Sequence, residues 1–281
     1  MHGLLAYTGN NSTPSNNFDM TAASDPDFSS RNGHYIFSQL ETYKILYLWA
    51  QCAHITDARL LAPTFSALNS DGFRITGFQK KAGLGGTPTL YDRFYPAGVM
   101  LPTVEEIQFQ SSSGTIEQTW GLMCIQTPDW KREIPVGPII VMEGTTSSFT
   151  PSANVWSGGQ NITLTSNPRG GVYAVLRATC QQAADSFAFR IIFPRHPNYK
   201  GRKMRPGWVC QNAVADFDDV ITQVDPYHLS PWGWFHTFEL PQVEIFASTS
   251  AAMTPIVRLW TVYLGQDESL LNQIVAQHSM P

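Results

Sequence analysis

Five residues late in the chain nearly repeat five from its middle. Leu101-Pro102-Thr103-Val104-Glu105 returns as Leu240-Pro241-Gln242-Val243-Glu244, about half a chain length later in a sequence of 281 residues. After each copy come a β-like run, a turn rich in Ser, Thr or Ala, and a second β-like run with a Trp near its middle, Trp120 and Trp260. Upstream of each copy stands a Phe-Arg-Ile triplet, Phe73-Arg74-Ile75 and Phe189-Arg190-Ile191. Short words recur by chance in a chain this long, so the weight lies in their order and their half-length spacing. Together they predict two similar units in tandem.

The composition suits such a plan. A chain of 281 residues can bury one large core or two smaller ones. Only 14% of residues are charged, 12% are aromatic, and there are 21 glycines and 19 prolines. This is the profile of a folded, turn-rich, strand-rich protein rather than a disordered or coiled-coil one. The net charge of −4 gives no bulk electrostatic case for nucleic acid, and residues 1–30 hold no Lys or Arg. Cys52, Cys124, Cys180 and Cys210 are widely spaced with no CxxC pair, so a disulfide framework is not expected. Met1-His2-Gly3 has neither a basic nor an apolar leader character, and no secretory signal is expected. Without that route the sequons at Asn10, Asn11 and Asn161 carry little meaning.

Residues 1–33 are rich in Asn, Ser, Thr and Asp and read as an irregular arm. Ile36, Leu40, Tyr43 and Tyr47 follow helical spacing, which predicts a short helix within 34–50, although Ile45 to Trp49 also suits a buried strand. From Thr56 onward short apolar runs alternate with turn signals. Ile116, Trp120, Leu122 and Cys124 share one strand face. Phe187, Phe189, Ile191 and Phe193 alternate with Ser186, Ala188 and Arg190. Ile256, Trp260, Val262 and Leu264 lie on one face of a strand whose other face carries Val257, Leu259 and Tyr263, so both faces are covered. The expected class is all-β, with antiparallel sandwiches or jelly rolls.

The expected layout is an arm and helix over 1–50, a first β unit over 51–143, a connection over 144–160 and a second unit over 161–266. The gap between Phe-Arg-Ile and Leu-Pro is longer in the second half, which predicts an inserted surface loop over 194–238. Leu270, Leu271, Ile274 and Val275 form one stripe after Asp267 and Glu268, which predicts a short helix over 267–281.

Catalytic signatures are missing from the sequence: there is no GxSxG elbow, P-loop, GxGxxG, HExxH or HxH. Asp216, Asp218 and Asp219, with Asp225 nearby, form the densest carboxylate cluster, a weak candidate for structural calcium that matches no EF-hand spacing. Arg195, Lys200, Arg202, Lys203 and Arg205 crowd one stretch, read as a solvated or subunit-contact loop. Trp232 and Trp234 offer either a sugar-stacking platform or packing beneath a loop or at a subunit interface.

Tandem units carrying the paired Leu-Pro-x-Val-Glu and Phe-Arg-Ile words, with no active site and no basic arm, resemble the double jelly-roll major capsid proteins. These belong to icosahedral viruses with an internal membrane, including small bacteriophages. The resemblance is architectural and covers roughly residues 50–266. It implies two tandem eight-stranded antiparallel jelly rolls with short terminal or loop helices, and no enzyme activity or cofactor. It further implies a homotrimeric, pseudo-hexagonal capsomer that tiles a shell with neighbouring capsomers and minor capsid or vertex proteins. The termini would lie near the internal membrane, the protein would not contact nucleic acid directly, and the virion would assemble in the host cytoplasm. Three other readings stay open: a carbohydrate-binding β-sandwich using Trp232 and Trp234, a jelly-roll glycan or glycopeptide hydrolase using Asp216, Asp218 or Glu239, and a single jelly-roll coat protein with a large decoration.

Overall fold

The computed structural model describes residues 2–11, 17–22, 29–31, 34–36, 43–51, 55–61, 73–75, 95–101, 106–111, 117–126, 137–182, 186–195, 198–199, 202–203, 205–210, 231–247 and 249–279. The chain divides into two units, one comprising Leu4–Gly86 and Tyr91–Pro128, the other built on Asp129–Pro281. The described elements are β-strands and one helix, so the described part of the chain is all-β with one helix after the last strand.

The first unit contains β1 (His2–Asn11), β2 (Asn17–Ala22), β3 (Ser29–Arg31), β4 (His34–Ile36), β5 (Tyr43–Gln51), β6 (Ile55–Leu61), β7 (Phe73–Ile75), β8 (Tyr95–Leu101), β9 (Glu106–Ser111) and β10 (Glu117–Gln126). Eight of these form one sheet in the order β7-β6-β9-β2-β1-β10-β5-β8, while β3 and β4 pair as a separate hairpin. This corrects the reading of residues 1–50. The expected arm is strands β1 and β2, and β1 lies between β2 and β10 in the middle of the sheet. Leu4 and Leu5 are both buried, as a strand covered on both faces requires. Where a helix was expected, β5 pairs with β10 on one side and with β8 on the other. Two ladders satisfy its backbone, and its β-branched and aromatic residues suit a strand better than their helical spacing suggested.

The second unit contains β11 (Ile139–Thr146), β12 (Gln160–Leu164), β13 (Val172–Gln181), β14 (Ser186–Ile192), β15 (Asn198–Tyr199), β16 (Arg202–Lys203), β17 (Gly207–Val209), β18 (Gly233–His236), β19 (Gln242–Ala247) and β20 (Ile256–Gly265), then helix α1 (Glu268–Ser279). Its sheet runs β17-β14-β19-β12-β11-β20-β13-β18, with β15 and β16 as a hairpin. When the eight sheet strands of each unit are numbered in chain order, both sheets read 5-4-7-2-1-8-3-6.

In both units the seam between strands one and two is short. β1 and β2 meet at Tyr7↔Ala22 and Thr8↔Thr21, and β11 and β12 meet only over Gly144–Thr146. In the second unit the two halves of the sheet face each other. Phe189 of β14 stacks on Trp232 with ring centroids 6.1 Å apart, and Trp232 donates its backbone N–H to Val175 O of β13. The core between them includes Val175, Phe189, Ile191, Val243, Ile245 and Leu259, each at most 1% exposed.

The strand order separates the two sequence echoes. Each Leu-Pro-x-Val-Glu word falls between the sixth and seventh strands or at the start of the seventh, and Trp120 and Trp260 both lie in the eighth. The Phe-Arg-Ile words do not correspond, since Phe73–Ile75 is a fifth strand and Phe189–Ile191 belongs to a fourth. Length comparisons anchored on them therefore misplace the insertion. The stretch 194–238 holds two of the sheet's own strands, β17 and β18, besides the β15–β16 hairpin. Strands of three and four residues are too short to show an alternating pattern.

The expected connection over 144–160 also needs correction. Residues 144–146 complete β11 and pair with both β12 and β20. Further on, Trp156 bridges to Phe246 and packs against its ring at 5.4 Å. This covers the face of β14 and β19 that turns away from the core, and Ala188, Arg190, Glu244 and Phe246 on that face are all buried. The half-buried alternation expected for 186–193 is absent for this reason.

Helix α1 closes the other side. Leu271 joins a buried cluster with Val172, Ala174 and Trp234, and Leu264, Leu270 and Ile274 pack against it. Asp267 caps the helix, accepting the Ser269 N–H on Oδ1 at 2.8 Å.

Candidate functional site

The basic stretch expected to act as one surface loop divides between two environments. Arg205 is half in the interior. Its guanidinium donates through Nη1 to Glu244 Oε1, while the other carboxylate oxygen of Glu244 accepts from Arg190 Nη2 at 2.8 Å and Nε at 3.1 Å. Cross-strand register produces this grouping, because Arg190 of β14 lies opposite Glu244 of β19 and, on its other side, opposite Gly207 of β17. Gly207 is required there. A Cβ would come within 2.2 Å of the Phe189 carbonyl oxygen and 2.8 Å of Arg190 Cγ. The Trp156 indole roofs the group, with the Arg190 guanidinium carbon 3.9 Å from its ring centroid. Arg190 and Glu244 are each 1% exposed. A carboxylate gripped by two guanidiniums under an indole is a structural clamp rather than an acid–base group.

Arg195 belongs to an exposed network. It donates to Glu239 Oε2 at 2.7 Å, to Glu268 Oε1 at 2.6 Å and to Asn272 Oδ1 at 3.0 Å. These hydrogen-bonded carboxylates raise its already high pKa. The result ties the turn after β18 to helix α1 and occupies one carboxylate oxygen of Glu239, which had been a candidate acid–base residue. Arg202 and Lys203 form β16, whereas Lys200 and Asp216, Asp218 and Asp219 lie outside the described residues. The calcium expectation therefore falls outside them too. Among the described residues no group of three or more His, Cys, Asp or Glu side chains could hold a metal ion.

Trp232 and Trp234 are buried, at 5% and 7% exposed. Neither can serve as a sugar platform or a surface contact. Trp232 packs on Phe189, and Trp234 sits in the cluster under α1. The exposed aromatic of this segment is Phe238, at 82%. A tight turn holds it. Glu239 N–H donates to His236 O at 2.8 Å, Phe238 N–H donates to His236 Nδ1 at 3.2 Å, and the two rings stack at 4.5 Å. Beside it runs an open groove of about 520 Å³, lined among others by Asn161, Pro194, Glu239 and Gln242.

A second exposed apolar patch lies at the start of β11, where Ile139, Ile140 and Val141 are 60%, 39% and 52% exposed. Here β11 pairs with β20 but not with β12, whose pairing begins at Gly144. The sequence points to the aromatic segment that holds Phe238 but not to the Ile139–Val141 patch. A lone Phe in an aromatic segment does not reveal which ring is outside, and three apolar residues at a strand start look like core.

Two further shifts come from burial. Burial, with Tyr263 nearby, raises Tyr173, and burial lowers Arg177. No described helix is long and apolar enough to cross a membrane.

No family model matches the chain, and no curated protein matches it. Among solved structures, the crystal structure of the STIV MCP aligns over 92% of this chain and 97% of that one, with 9% sequence identity and a TM-score of 0.24. A TM-score of 0.24 does not establish a shared fold.

Proposed function

We propose that this chain is a structural coat subunit of an icosahedral virus, built from two tandem jelly rolls. One observation carries the reading, the strand order 5-4-7-2-1-8-3-6 found in both units. Numbered from the first strand, each sheet consists of a 1-8-3-6 half and a 2-7-4-5 half, which is the connectivity of an eight-stranded jelly roll. Two such barrels per chain give six per trimer, a pseudo-hexagonal block suited to tiling a closed shell. The step from fold to role is one of architecture. The exposed Ile139–Val141 run supports self-association, since a contiguous apolar patch marks an interaction surface more often than scattered single residues do.

On this reading the partners are further copies of the chain, neighbouring capsomers and minor capsid or vertex proteins. The termini approach an internal membrane, and the protein's place is the virion. The burial of Trp232 and Trp234 counts against the carbohydrate-binding alternative.

Multi-angle light scattering on the purified chain tests the proposal. The expected species has three times the 31.3 kDa chain mass. Electron microscopy of the same material should show particles with pseudo-hexagonal outlines. A monomer at every accessible concentration would overturn the reading.

A further inference from the structure

Two of the four cysteines meet inside the second unit. Cys180 is near the end of β13, and Cys210 directly follows β17, so they come from opposite halves of the curled sheet. The two strands touch. Both residues are free thiols, 0% and 1% exposed, and Cys180 lies near enough to affect the titration of Cys210. Nothing in the sequence spacing signals this pair, because the contact depends on the sheet folding over on itself.

We propose that Cys180 and Cys210 form a reversible disulfide that staples the two halves of the second unit together when the chain meets a small-molecule disulfide such as oxidised glutathione. One thiol loses its proton to solvent, and its thiolate attacks a sulfur of the oxidant. This forms a mixed disulfide and releases one glutathione thiolate. The second cysteine, deprotonated in turn, attacks the protein sulfur of that mixed disulfide and displaces the second glutathione. The protein loses two protons and two electrons, and one glutathione disulfide becomes two glutathione thiols.

Burial sets the rate of this step. The Cys210 thiol is pushed well above its ordinary pKa by desolvation, helped by its contact with Cys180. In the closed fold it stays protonated and out of reach, so oxidation proceeds through opened molecules and quickens where opening is more frequent. Once formed, the link joins residues 180 and 210 across the sandwich and restricts the unfolded chain, which raises thermal stability.

The test uses the full chain, incubated with oxidised glutathione with and without sub-denaturing urea, then denatured, alkylated and analysed without reductant. The expected product is lighter than the reduced chain by two hydrogen atoms before alkylation. It yields one linked peptide pair joining Cys180 to Cys210, forms faster with urea, melts several degrees higher and reverts with dithiothreitol. Cys180→Ala and Cys210→Ala variants, checked for folding by circular dichroism, should each lose the linked pair. The proposal is overturned by a chain that stays fully reduced in urea, by links that use Cys52 or Cys124 instead, by a glutathione adduct at Cys210 that never resolves, or by a linked chain that melts lower than the reduced one.

Discussion

Arg190 and Glu244 stand directly opposite each other on β14 and β19, joined by two hydrogen bonds and almost wholly withdrawn from water. Arg205 completes the set from the strand-poor side, and Trp156 covers it. A charge group of this kind is costly to desolvate, and its retention depends on each member keeping its partners. Glu244→Gln leaves two guanidiniums facing a neutral amide. The expected loss is about 3–5 kcal/mol of unfolding free energy, read from urea titration. Replacing Arg190, Arg205 and Glu244 together with apolar residues of similar volume should recover much of that loss. A triple variant no more stable than Glu244→Gln would show that the group does more than satisfy its own charges.

The attachment of α1 rests on Leu271, which is 1% exposed against Val172, Ala174 and Trp234. Leu271→Ala removes the side chain that enters the cluster and should cost about 2–5 kcal/mol. Hydrogen exchange should show the helix amides losing protection before those of β14 and β19.

The cap of the same helix is sensitive to pH. Hydrogen bonding from Ser269 lowers the Asp267 pKa from its ordinary value near 3.8. A depressed carboxyl contributes stability in full above the ordinary value, and that contribution is lost as pH falls through the lower folded value. Helix content measured by circular dichroism should therefore decline in a step below about pH 3.8. Asp267→Asn keeps a capping oxygen without the titration, and its profile should be flat through that window.

Arg195→Ala should behave differently from the buried arginines. Its partners Glu239 and Glu268 are 43% and 51% exposed, and solvent screens such pairs. The expected change is at most about 1 kcal/mol, and it should shrink as salt is added to a thermal melt. A larger effect would mean that the side chain holds the β18 turn by packing rather than charge.

The sequence shows its plan most clearly where a feature is local. The Leu-Pro-x-Val-Glu words mark the same passage from the sixth strand to the seventh in both units, and a short word of this kind is read without knowing any distant partner. The α1 stripe is legible for a similar reason, being written at helical spacing over a few turns. Long-range pairing is not legible in this way. Strand β1 looks like a polar arm because its Asn and Thr residues give no hint of β10, which lies more than a hundred positions away and forms its neighbour. The Arg190–Glu244 clamp was hidden in plain view. Both residues belong to repeated words, but their pairing requires the register of β14 against β19. For Trp232 and Trp234 the structure selects packing over the sugar platform, a choice that aromatic density without periodicity leaves open.

The placement of the eighth strand between the first and third in both units has a consequence for synthesis. Strand β20 fills the space between β11 and β13, two strands made long before it. Until it arrives, each presents an unpaired edge to whatever else is nascent in the cell. Each unit is completed by its last strand, so the first closes when β10 leaves the ribosome and the second only when β20 does. A chain cut short by a premature stop before Ile256 would thus carry one finished unit and one open template for aggregation. The final strand therefore acts as a check on the finished chain, because copies that lack it leave the edges of β11 and β13 open.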